Sequence, residues 1–64
     1  MTPELSPRQR QIVDLVSRGK ANKEIAAALG LTEGTVKEYI HRIFQKVGCT
    51  SRTELAIMRA RGQI

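Results

Sequence analysis

Cysteine and histidine each occur once in the 64 residues, as Cys49 and His41, so neither an internal disulfide nor a Cys/His zinc set can be assembled from this chain. Tryptophan is absent and aromatics reach only 3%, as Tyr39 and Phe44, which leaves Leu, Ile, Val and Ala to build the core. That composition suits helices better than sheets. Long apolar runs are missing too. The longest nearly apolar stretch, Ile25 to Leu31, falls far short of the ~20 residues that a membrane helix requires. The N-terminus lacks the charged-then-apolar pattern of a secretion signal, so a soluble chain inside the cell is expected, with no membrane partner. Acidic groups are scarce: six Asp and Glu face eleven Lys and Arg, giving a formal charge of +5 and a pI near 10.2. Such a balance points to an anionic partner, nucleic acid being the commonest.

A chain of this length makes one small domain, residues 1–64, which must stand on packing alone or on a partner subunit. Enzyme chemistry is not expected. Cys49 and His41 lie in different segments, no pair of acids shares a face, and no glycine-rich phosphate loop follows a strand. No cofactor and no metal are expected either.

No repeat or linker interrupts the sequence, and Gly19, Gly30, Gly48 and Gly62 divide it into four helical segments, predicted at about 7–18, 22–29, 33–47 and 51–61. The fold class is therefore all-α, a four-helix domain. Ser6-Pro7-Arg8-Gln9 has the form of a capping box with proline at the first helical position. Ile12, Val13, Leu15 and Val16 form the first buried stripe, with Arg8, Arg10 and Arg18 solvated. The second segment offers Ile25, Ala26 and Leu29 as a narrow apolar face. Gly30 then allows a sharp turn, Leu31 plugs the corner, and Thr32 caps the third segment. There Val36, Ile40, Ile43 and Val47 recur with a helical period, which leaves Gly34, Lys37, Glu38, His41 and Gln45 on the opposite, polar face. Ser51-Arg52-Thr53-Glu54 is a second capping box, opening a last helix with Leu55, Ala56 and Arg59 or Ala60 turned inwards.

Two helices joined by a short turn, with a small residue in the first and a glycine at the turn, describe a helix-turn-helix centred on segments two and three. Ala26 permits close crossing, while Ile25, Leu29, Leu31 and Val36 hold the angle. The polar face of the third helix then projects as a ridge, and an α-helix fits the major groove of duplex DNA. Net charge is distributed accordingly: five basic and four acidic groups in residues 1–34, against six and two in residues 35–64.

Leu5-Ser6-Pro7-Arg8, Gly19, Asn22-Lys23-Glu24-Ile25-Ala26, Leu29-Gly30, Thr35-Val36-Lys37, Ile40, Ile43, Lys46-Val47-Gly48 and Ser51-Arg52-Thr53-Glu54-Leu55, in this order and spacing, resemble the LuxR/FixJ/GerE-type DNA-binding domain. The resemblance runs from Leu5 to about Met58. It implies a four-helix domain that binds DNA as a dimer through its fourth helix, usually as the C-terminal output module of a bacterial transcription regulator. It also implies a cytoplasmic, nucleoid-associated location and contact with RNA polymerase. Some positions depart from the pattern. Gln9 and Gln11 replace acidic residues, and Tyr39 stands where histidine is frequent, keeping a polar tip for a phosphate. Ala21 replaces a capping Ser or Thr, so either Asn22 caps one residue later or that helix end loses ~0.5 to 2 kcal/mol.

Lys37, Glu38 and His41 are the candidates for base contact. Lys37 has guanine O6 and N7 as acceptors, against the alternative of a solvated lysine. Glu38 either accepts from cytosine N4, repels wrong sequences, or simply pairs with Arg42. His41 faces the groove. Candidates for phosphate contact are Asn22 and Lys23 at the start of the second helix, Thr35, Tyr39, Arg42 and Lys46 along one edge of the third, and Arg52. Arg52 has a second reading, as a pin between the fourth helix and the core. Thr53, Glu54, Ile57 and Met58 are expected on the outward face of the last helix as a dimer interface, the alternative being that Ile57 and Met58 cover the core. Cys49 reads as a partly buried small apolar residue, not a redox sensor. Two rival functions remain: a protein-interaction module on the same helices, and a promoter-binding fragment like region four of a sigma factor. The chain is expected to be either an excised output domain or a small stand-alone regulator.

Overall fold

A computed structural model describes residues 4–64 and contains four helices: α1 (Pro7–Ser17), α2 (Asn22–Leu29), α3 (Glu33–Val47) and α4 (Arg52–Ala60). Arg18 and Arg61, which the sequence places inside the first and last helices, are C-caps instead, while Ser51 caps α4 as the head of its capping box. α1 begins as its residues dictate. Ser6 Oγ accepts from the Gln9 N–H at 3.1 Å, Gln9 Oε1 accepts from the Ser6 N–H at 2.9 Å, and Pro7 occupies the first turn, where its missing donor costs nothing.

α2 begins differently. Asn22 does not cap it. The N-cap is Ala21, with extended backbone and no side-chain acceptor, and only the Glu24 carboxylate reaches back, accepting from the Ala21 N–H at 2.9 Å. Asn22 is the first helical residue, and its side chain is turned towards Arg52.

The corner between α2 and α3 rests on Gly30, with φ 68° and ψ 34°. A Cβ placed there would meet no neighbouring atom within 4 Å, so the demand for glycine is the left-handed backbone itself, not a crowded surrounding. The Leu31 N–H returns to the Ala26 carbonyl at 2.9 Å, and Thr32 Oγ1 caps α3 by accepting from the Thr35 N–H at 3.1 Å. α4 is capped by Ser51 Oγ, which accepts from the Glu54 N–H at 3.1 Å. The expected reciprocal bond is displaced by one residue: the Glu54 carboxylate accepts from the backbone N–H and the hydroxyl of Thr50, each at 3.3 Å.

The core is wholly aliphatic apart from Cys49. Ile12, Val13 and Val16 of α1, Ile25 and Ala26 of α2, Val36, Ile40 and Ile43 of α3 and Leu55 of α4 are buried, and no polar side chain is buried with them among the described residues. α1 packs on α4, α3 and α2, and α2 packs on α3, where Ala26 lets the two backbones approach. Leu15, expected in the first stripe, is half-buried. Arg59 and Ala60 are exposed instead of turned inwards. Met58, expected to face outwards, packs against the core, because three residues after Leu55 it lies only about 60° around the helix.

Two core members come from outside the helices. Leu5 precedes α1, and Ile64 is carried back to the core by Gly62. At φ 73° that glycine allows the Gln63 N–H to reach the Met58 carbonyl at 2.9 Å while its own N–H bonds that of Arg59. Among the described residues no helix is long and apolar enough to cross a membrane.

Candidate nucleic-acid interface

α3 presents two unlike faces. Val36 and Ile43 are fully buried and Ile40 nearly so, while Gly34, Lys37, Glu38, His41 and Gln45 are all exposed. Its 15 residues make a rod about 22 Å long, held beneath by α1 and α2. Lys37, Glu38 and His41, the candidates for base contact, therefore share the outward face.

The candidates for phosphate contact divide into those the structure brings to this face and those it turns elsewhere. Thr35, Tyr39, Arg42 and Lys46 follow one edge of α3. Arg42 and Lys46 are exposed. Tyr39 is half-buried, its ring packed against the core. Thr35, Glu38, Tyr39 and Arg42 together line a small recess. Of the alternatives open to Glu38, the pair with Arg42 is not formed. Among the described residues the one ion pair is Arg18 with Asp14 at 3.0 Å, an exposed pair on α1 worth ~0 to 1 kcal/mol. Lys37, Arg42 and Lys46 of α3 thus form no ion pair within the described residues.

Arg52 takes the second of its two readings. One guanidinium nitrogen donates to Asn22 Oδ1 and another to the Lys20 carbonyl at 2.6 Å, which fastens the start of α4 to the loop before α2. Asn22 and Arg52 are engaged with each other, and of this group only Lys23 is fully exposed. The Glu24 carboxylate already occupies an N–H at the start of α2, so that helix terminus is less open to an anion than its position suggests.

Lys46 also has a partner that sequence reasoning missed. Its ammonium donates to Gln9 Oε1 at 3.4 Å, so the last turn of α3 adjoins the start of α1. Nothing local signals this contact between residues 37 apart; Gln9 is legible only as a cap.

On α4, Thr53, Glu54 and Ile57 are exposed, and Ile57, at 45%, is among the described residues the large apolar side chain left most open to solvent. Met58 is half-buried beside them, and Glu54 is occupied with Thr50. Cys49 is buried. Burial first, and the Glu54 carboxylate second, push its thiol above the usual range. No cluster of potential metal ligands forms among the described residues.

Known proteins resemble this arrangement closely in sequence. The response regulator Rre1 of Synechocystis sp. is 48% identical over 52 residues, covering 81% of this chain and 22% of that protein. The nitrate/nitrite response regulator protein NarL of Escherichia coli is 41% identical over 54 residues, covering 84% of the chain and 25% of its own length. The DNA-binding transcriptional activator DevR/DosR of Mycobacterium tuberculosis is 40% identical over 53 residues, covering 83% and 24%. The chain thus spans about a quarter, or less, of these relatives. Residues 3–59 match the family described as bacterial regulatory proteins, luxR family, a span that takes in α1, α2, the corner at Gly30, the whole of α3 and all of α4 but its last residue. By that match the chain belongs to the luxR family of bacterial regulatory proteins.

Proposed function

We propose that this chain binds double-stranded DNA in a sequence-selective way to regulate transcription, with α3 lying in the major groove. The observation that carries the proposal is the outward face of α3, where Gly34, Lys37, Glu38, His41 and Gln45 are all exposed and polar or small, while Phe44 packs against the core. Lys37, Glu38 and His41 address base edges there. Lys23, Thr35, Tyr39, Arg42 and Lys46 address the phosphates that fix its register. Arg52 and Asn22 act one step back, holding the start of α2 in place. The name of DevR/DosR describes a DNA-binding activator, and those of Rre1 and NarL describe response regulators, which supports the same activity here.

Two copies pair through α4 around Ile57, with Thr53, Glu54 and Met58 at its margin. A two-fold pairing of this kind sets two α3 rods about one DNA turn apart and predicts an inverted-repeat site. RNA polymerase is a second partner, and the working location is the bacterial cytoplasm at the nucleoid.

Selection from random duplexes at two salt concentrations tests this. Enrichment of an inverted repeat, with affinity falling steeply as salt rises, is the expected result. No enriched sequence and a flat salt response would reject it in favour of a protein-binding surface.

A further inference from the structure

Gln9 and Lys46 meet where the first turn of α1 adjoins the last turn of α3. The Gln9 side-chain carbonyl accepts from the Ser6 N–H at 2.9 Å and from the Lys46 ammonium at 3.4 Å. An amide oxygen has two lone pairs, so these two donors fill it and fix the plane of the amide. What holds Lys46 is therefore neutral. A carboxylate in the same place would accept the same two bonds but would also cancel the charge it holds. Glu4 borders the recess beside Lys46 and forms no ion pair with it. Lys46 remains exposed on the edge that also carries Thr35, Tyr39 and Arg42.

We infer that Gln9 is a positioning residue for phosphate binding: it steers Lys46 along the edge of α3 while leaving the whole ammonium charge for a nucleic-acid phosphate. The row of phosphate contacts then continues off α3 onto the start of α1. This rests on the DNA-binding reading above.

Gln9→Glu is the discriminating change, because glutamate also suits the third position of a capping box and keeps the helix start intact. Binding to a duplex oligonucleotide of random sequence is measured across a salt series for the wild type, Gln9→Glu, Lys46→Ala and the double variant, with thermal melting of each. The expected result is that Gln9→Glu melts no lower than the wild type, binds about tenfold more weakly at low salt, and shows a slope of log K against log salt shallower by about one, the share of one phosphate. In the Lys46→Ala background the same change should move affinity by less than about twofold. Wild-type binding by Gln9→Glu would overturn the inference. So would an equal loss with and without Lys46, since the added charge would then be acting on the DNA directly. A wild-type chain without salt-dependent duplex binding overturns the DNA-binding reading and this inference together, whereas intact wild-type binding without coupling overturns this inference alone.

Discussion

Lys37 and Lys46 carry the same charge on the same helix, yet their loss should read out differently. Lys37 lies on the outward face of α3 and Lys46 on its edge. Lys37→Ala should cost ~1 to 3 kcal/mol on the preferred site and relax selection at one base position. Lys46→Ala should weaken all duplexes alike and make the salt slope shallower by about one. Equal losses on specific and random duplexes for both variants would remove Lys37 from base recognition. Arg52 belongs to a third kind. Its two bonds join α4 to Asn22 and to the Lys20 carbonyl, so Arg52→Ala should lower stability by roughly 1 to 3 kcal/mol in urea unfolding and leave the salt slope unchanged. Arg52→Lys should recover little, because an ammonium cannot present the two-pronged fork. An altered slope at unaltered stability would return Arg52 to the phosphate set. The sequence allows Arg52 a pinning role but names neither of its partners, and the bond between Gln9 and Lys46 could not be read from it at all. Their partners lie 30 to 37 residues away, beyond any helical period, and only the packing of helices brings them together.

Among the elements, α3 was the most legible and α4 the least. Four apolar residues in register fix both the length and the rotation of α3. In α4 a single residue, Leu55, is fully buried, and one anchor leaves the rotation of a nine-residue helix open by a residue either way. That is why Met58 was expected outside and Arg59 or Ala60 inside. Leu5 and Ile64 escaped notice for a related reason: each stands outside any helical stripe, and only the backbone reversal at Gly62 shows where the latter goes. α2 starts without a side-chain cap, the second of the two alternatives its sequence leaves open, and its start can be improved. Ala21 already has the extended backbone of an N-cap, with φ −77° and ψ 160°, and lacks only an acceptor. Ala21→Ser should therefore stabilise the domain by ~0.5 to 2 kcal/mol, seen as a higher melting temperature. No gain would mean that the Glu24 bond already supplies what the cap would add.

At the scale of the whole molecule, the largest dimension is 31 Å, about one turn of duplex, and there is one exposed rod to insert. If α3 enters the groove as proposed, a single copy reads a single half-site, and a symmetric operator needs two. Ile57→Glu is the cleaner disruption of pairing, since Ile57 is exposed whereas Met58 also packs against the core and its loss would loosen the monomer. Sedimentation of the variant on an inverted-repeat duplex should show one chain bound where the wild type shows two, with melting unchanged. Two chains per duplex would exclude Ile57 from the contact.

Tyr39 brings a practical consequence. With one tyrosine and no tryptophan, the phenol seated at the edge of α3 dominates the near-ultraviolet absorption and emission of the protein. The edge proposed to meet DNA phosphates therefore carries a built-in optical reporter, and spectra of this chain taken without any attached dye observe that edge and almost nothing else.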